Sequence, residues 1–255
     1  MPEIEYVTQR GPYQHGESVK DYFLRPRIVE LHIRQNFCSR QAYWDGRAAI
    51  LDLLRPHNGI GILRKVLPNG AKRDLLVNIQ SGPKFEPRKN DSWDELSFEE
   101  IIRFVAYNPV YFDPDQRSQT FGTSGALTFP LTFPITFASF GNTVTVNYEG
   151  TWIEYPTIVI TGPLSATEII NLTKGDRIGL TYNIPAGRYI TIDLSYGTKS
   201  VLLDDGTNLI GYVSSNSDLA TFHLHPGDNV IRVIGTGSSL ATNVSINWYS
   251  RYVGI

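Results

Sequence analysis

The chain has 255 residues, 41% of them hydrophobic, with 23 Lys and Arg set against 25 Asp and Glu. That length accommodates one large domain or two modest ones, and the near-neutral balance excludes a chain built mainly to neutralise a nucleic-acid backbone. No apolar run approaches the ~20 residues of a membrane helix, the start lacks the basic-then-apolar pattern of a signal peptide, and Cys38, as the only cysteine, rules out an intrachain disulfide. The expectation is a chain made in a reducing cytoplasm that does not insert into membranes.

In chain order, DYFLRPRIVELHIRQ alternates Ile28, Glu30 and His32 against Val29, Leu31 and Ile33, which predicts a half-buried strand. Ser39 then offers a helix N-cap, and Tyr43, Arg47, Ile50 and Leu54 follow at helical spacing. Ala42, Ala49 and Leu53 widen that stripe, and Pro56 with Asn58-Gly59 ends it. GILRKVLPNGAKRDLLVNIQSG predicts a hairpin turning at Asn69-Gly70. LSFEEIIRFVAYNP is ambiguous, but Ile102, Phe104 and Ala106 alternate and Pro109 closes the run, which favours a strand.

Composition changes after Ser118. The first part holds 17 of the 23 basic and 16 of the 25 acidic residues, leaving 6 and 9 for the longer remainder. The boundary is placed near 113–125, where FDPDQRSQTFGTSG is polar and patternless. Beyond it, ALTFPLTFPITF repeats a Thr-Phe-Pro unit. Pro130 and Pro134 lack the N–H that a helix or central strand needs, and each biases Phe129 and Phe133 towards extended backbone. A packed, extended connector over 119–142 is favoured over an exposed linker, because three phenylalanines in water would form an unusual apolar patch. From Thr143 onward short alternating runs, including 144–148, 157–161, 178–182, 190–194, 222–224, 231–233 and 244–248, are separated by Gly, Pro and Asp-Asn turns. Such a pattern predicts a β-sandwich over 143–255 and, for the whole chain, a mainly β fold with one helix.

Chemistry is sparse. No phosphate-binding glycine loop or dinucleotide fingerprint appears, and GTSGA at Gly122 reads as a turn rather than a nucleophile elbow. HLH at 223–225 could begin a metal site, but its alternation with Phe222 and Leu224 predicts two solvent-facing histidines without a third ligand. Asp204 and Asp205 in LLDDGTN read as turn chemistry. No catalytic set, cofactor site or metal site is therefore assigned. Tyr148, Tyr182, Phe222 and Trp248 fall in phase with core positions, whereas Tyr189 and Tyr249 fall out of phase. Tyr189 shares a strand face with Thr191 and Asp193, so Tyr189, Asp193 and Tyr249 are the candidates for contact with a glycan or another partner. An incidental surface tyrosine is the competing reading.

Several stretches carry a resemblance. YNPVYFDP (107–114), preceded by a strand, a helix, an Asn-Gly hairpin and NIQSGPKFEP, resembles the end of the N-terminal domain of siphophage distal tail proteins. NYEGTWIEYPTIVITGPLSATEIINLTKGDRIGLTYNIPAGRYITIDLS, HPGDNVIRV and the closing INWYSRYVGI are similar to the C-terminal domain of siphovirus-type tail components. The resemblance implies a split-barrel-like, ring-forming domain over 1–118 and a galectin-like, jelly-roll sandwich projecting outward. It also implies a hexameric ring in the phage virion that joins the tail tube protein to the tip or baseplate hub, with the tape-measure protein and then DNA passing through its lumen. On that reading the Phe129–Pro130 and Phe133–Pro134 pairs stiffen the bridge to the outer domain. Arg25, Arg27 and Arg73 are candidates for inter-subunit contacts, although a solvated strand face explains them equally well. A carbohydrate-binding adhesin is the alternative function, and an enzyme is not expected.

Overall fold

The computed structural model describes residues 1–85, 96–122 and 140–254. It divides into two units, Met1–Phe112 with Val253–Ile255, and Asp113–Tyr252. The Thr-Phe-Pro segment, with Phe129, Pro130, Phe133 and Pro134, lies outside the described residues.

In the first unit, β1 (Ile4–Gln9) and β2 (Ser18–Leu24) pair as an antiparallel hairpin. The strand expected across 21–35 is two strands, because Pro26 interrupts the ladder between β2 and β3 (Arg27–Asn36). The helix α1 (Arg40–Leu53) starts where predicted, with Ser39 Oγ accepting from the Ala42 amide at 3.2 Å. Then β4 (Gly61–Val66) and β5 (Lys72–Ser81) form the Asn-Gly hairpin, with Gly70 at φ 81° supplying the left-handed turn position. The ambiguous LSFEEIIRFVA stretch is indeed a strand, β6 (Ser97–Ala106), and β7 (Tyr111–Phe112) follows. These strands are ordered β7-β5-β6-β3, with β4 beside β5. Register sets Val29 opposite Phe104 and Leu31 opposite Ile102 on one face, and Glu30 opposite Arg103 on the other. Beside the buried Leu75, Asp74 is only 2% exposed. Its two oxygens accept from Arg64 Nε and Nη2, both at 2.7 Å, across the β4–β5 ladder.

The second unit contains two antiparallel sheets. Strands β8 (Arg117–Gly122), β10 (Thr157–Thr161), β13 (Tyr189–Asp193), β14 (Ser200–Leu203) and β16 (Asn243–Trp248) run in the order β14-β13-β10-β16-β8. Strands β9 (Phe140–Tyr148), β11 (Ser165–Asn171), β12 (Arg177–Leu180) and β15 (Gly227–Thr236) run β12-β11-β15-β9. Alternation aims one face of each sheet at a common core that includes Phe121, Tyr148, Ile158, Ile169, Ile192 and Trp248. Two segments differ from expectation. Residues 117–122, read as boundary and connector, are the edge strand β8, paired with β16 along its whole length. Residues 222–224 form only an isolated bridge, Leu224 to Glu154, rather than a strand. Glu154 is itself buried and paired, its Oε2 accepting from Arg251 Nε at 2.6 Å.

Candidate assembly surface

The two units differ sharply in what they leave uncovered. Among the described residues, the first unit buries seven large or small hydrophobic side chains, from Leu75 to Tyr111, against twenty-three in the second. Conversely, eighteen of the twenty-four exposed large hydrophobics belong to the first unit. Surfaces of monomeric proteins rarely concentrate apolar area in this way, and such concentrations mark interaction sites.

Three elements carry most of it. The β1–β2 hairpin exposes Tyr6, Val7, Val19, Tyr22 and Phe23, the last at 59%. A two-stranded hairpin by itself is marginal in water, so this one gains from a further surface against it. The outward face of β3 and β6 places Ile28 (58% exposed) and Ile101 beside the Glu30–Arg103 ion pair. The helix α1 contains no fully buried residue at all. Its predicted stripe does pack: Tyr43, Arg47, Ile50 and Leu54 are half-buried. Ala49 and Leu53, expected to widen it, face away, and Leu53 is 75% exposed with Trp44 and Leu51 also uncovered. What holds the inner stripe is an aromatic set. Phe37, Tyr43 and Phe98 have ring centroids 5.5–6.1 Å apart, and the Arg47 guanidinium lies 4.3 Å from the Phe85 ring and 4.7 Å from Trp44. The helix approaches closely enough that a Cβ on Gly46 would sit 2.4 Å from the Phe37 ring.

The three arginines singled out in the sequence differ in their commitments. Arg27 is used inside the unit: its Nε donates to Pro109 O at 2.9 Å, its Nη2 to Val253 O at 2.6 Å, and its guanidinium stacks 4.7 Å from the Tyr111 ring. It thereby ties the last residues of the chain to the first unit, a return that no local pattern in the sequence signals. Arg25 pairs with Glu3 and Glu5 at 3.5 and 3.2 Å, all three exposed. Arg73 donates to the neighbouring Lys72 carbonyl.

In the second unit, Tyr189, Asp193 and Tyr249 are not brought together. Tyr189 is exposed opposite Thr161, whereas Asp193 pairs with Thr157 at the other end of the same strand. Asp193 is a turn former, accepting from the Ser195 amide at 2.9 Å and from Thr198 Oγ1 at 3.3 Å. Tyr249 is half-buried and its amide donates to Glu154. The histidines of HLH are not solvent-facing as expected: His223 is buried and His225 half-buried. Burial holds both imidazoles below the ordinary histidine range. Asp204 and Asp205 bind one Arg188 guanidinium at 2.6 Å each, in agreement with the turn reading. Among the described residues, no three His, Cys, Asp or Glu side chains converge as a metal set.

The fold resembles that of SPP1 Dit (gp 19.1), described as a paradigm of the hub adsorption apparatus in phages infecting Gram-positive bacteria. The TM-score is 0.65 at 11% identity, covering 98% of this chain and 89% of that one. Two chains from phage p2 baseplates in the activated conformation, with Ca and with Sr, are more distant, at TM-scores of 0.46 and 0.45 and identities of 10% and 9%. They cover 100% and 96% of this chain and 88% and 86% of those chains. No curated protein matches. Residues 149–252 match the family described as siphovirus-type tail component, C-terminal domain. Residues 149–252 thus carry a siphovirus-type tail component C-terminal domain, and the fold over nearly the whole chain is similar to that of SPP1 Dit.

Proposed function

We propose that the chain is the ring-forming hub of a phage tail, its first unit closing a homohexamer between the tail tube and the tip or baseplate. The observation that carries this reading is the apolar surface of the first unit, above all a helix without one buried residue. A head-to-tail contact that closes into a ring covers such a surface on every subunit and leaves no free end. The lumen of that ring passes the tape-measure protein and then DNA. We read the second unit as a galectin-like sandwich, a reading supported by its two sheets on one core, and the first unit as split-barrel-like. The hub domain is read as 1–118, the connector as 119–142 and the outer domain as 143–255, and the pairing of β8 (Arg117–Gly122) with β16 favours moving the start of the outer domain to include β8. Of the three arginines, Arg25 and Arg73 reach neighbouring subunits, and Arg27 acts within its own.

The mass of the purified chain by light scattering, followed by negative-stain imaging, tests the reading. Six-fold rings are expected, and Tyr22→Ser with Phe23→Ser is expected to abolish them while leaving a folded monomer whose melting temperature no longer rises with protein concentration. A chain that stays monomeric at all concentrations and also fails to add to isolated tail-tube ends overturns it.

A further inference from the structure

At the end of the five-stranded sheet marked by Thr157 and Asp193, four rings from three separate segments stand in a row. Tyr196 and Tyr155 are 4.7 Å apart, Tyr155 and His223 5.6 Å, and His223 and His225 4.3 Å. The row is held rigidly. The hydroxyls of Tyr155 and Tyr196 share a hydrogen bond of 2.9 Å. Lys199 Nζ donates to Leu194 O and Leu219 O, both at 2.9 Å, while lying 4.5 Å from the Tyr155 ring. That ammonium thus staples the Tyr196 turn to the segment leading into His223, and Asp193 orders the same turn from the other side.

Despite this fixation, the outermost ring, Tyr196, is 75% exposed. A fixed, exposed aromatic face beside a second tyrosine hydroxyl is suited to stacking against a ring-shaped, hydroxyl-bearing ligand. The charge pattern narrows the class. The cations near the row are already engaged: Lys174 lies 3.2 Å from Asp176, and the Lys199 ammonium donates to the Leu194 and Leu219 carbonyls. Burial disfavours the charged form of both histidines. With both lysines engaged and the histidines disfavoured as cations, the row is poorly suited to neutralising a phosphate backbone, which disfavours single-stranded nucleic acid despite the stacked rings.

We infer that Tyr196, braced by Tyr155 with His223 and His225 behind it, is the stacking platform of a binding site for a neutral saccharide. This site is independent of ring closure by the first unit. It also differs from the Tyr189 face considered from the sequence, since Tyr189 lies at the opposite end of β13.

The test uses the full-length chain and a panel of neutral di- to tetrasaccharides built from glucose, galactose and N-acetylglucosamine. Binding is read by saturation-transfer NMR and calorimetry, with an oligothymidylate as the competing probe and light scattering run on the same samples. At least one saccharide is expected to bind saturably. Tyr196→Ala should weaken it by about ten-fold or more, the loss of one stacking contact. Tyr196→Phe should hold affinity within about two-fold, on the order of a neutral hydrogen bond's small net worth, and Tyr189→Ala should leave it unchanged. Absence of saturable binding to every saccharide at millimolar concentration, equal binding by Tyr196→Ala, or preference of the site for the oligothymidylate would each overturn the assignment. Because assembly is read separately, loss of saccharide binding with intact rings, or the reverse, tells which of the two readings has failed.

Discussion

Asp74 and the two histidines near Tyr155 respond to acid in the same sense, and Glu154 opposes them. The hydrogen bonds from Arg64, opposed by burial, hold the Asp74 carboxyl below its usual range. Its contribution to stability is present above the unfolded carboxylate value of 3.8 and is lost as pH falls through the folded value. His223 and His225 are depressed by burial below 6.5, so they favour the fold above that pH and oppose it as the unfolded chain takes up protons below it. Burial raises Glu154 above 4.5, against the pull of Arg251. Its contribution is therefore full below 4.5 and is lost as pH rises through the folded value. As pH falls from 7 towards 5 the histidines lower stability, and Glu154 acts in the opposite sense. Urea midpoints should fall across that interval in the wild type, and a His223→Gln/His225→Gln double variant should flatten the slope; an unchanged slope would refute this attribution. None of these signs could be read from HLH alone, because alternation predicted solvent where Tyr155 and Lys174 cover His223.

Individual elements make sharper tests of how the fold is held. Ser39→Ala removes the helix cap and should cost about 1 kcal/mol in chemical unfolding. Gly46→Ala should cost more, since the new methyl group has to displace the Phe37 ring. At the sheet edge, Phe121 on β8 is fully buried. Phe121→Ala should therefore lose about 3–5 kcal/mol, and a value within error of zero would mean that β8 does not seal the core. Local sequence identified α1, the Asn69-Gly70 hairpin and β6 because each is bounded by its own cap, turn or proline. It missed β8 because RSQTFG has a single large apolar residue, which an edge strand can tolerate when the neighbouring strand supplies the register. It merged β2 with β3 because alternation continues through Pro26 although the ladder does not.

For the whole chain, the contrast between the units predicts two kinds of stability. The second unit buries its apolar residues within one chain, so its unfolding should not depend on protein concentration. The first leaves its own exposed, so its thermal transition should rise with concentration as subunits cover one another. Calorimetry over a hundredfold range of concentration would separate the two transitions, and parallel behaviour would count against assembly through the first unit.

The sequence by itself determined the mainly β class, the position and cap of the helix, most strands of the second unit and the resemblance to tail components. These depend on local periodicity, turn residues and short ordered motifs, all of which are written along the chain. Only the tertiary structure decided that Arg27 binds the carbonyl of Val253, that Asp74 is buried against Arg64, and that Tyr189 and Asp193 stand at opposite ends of one strand. It also decided that Tyr155, Tyr196, His223 and His225 form one row. Those relations join residues far apart in sequence, and no local pattern encodes which distant segment will supply a partner or remove water from it.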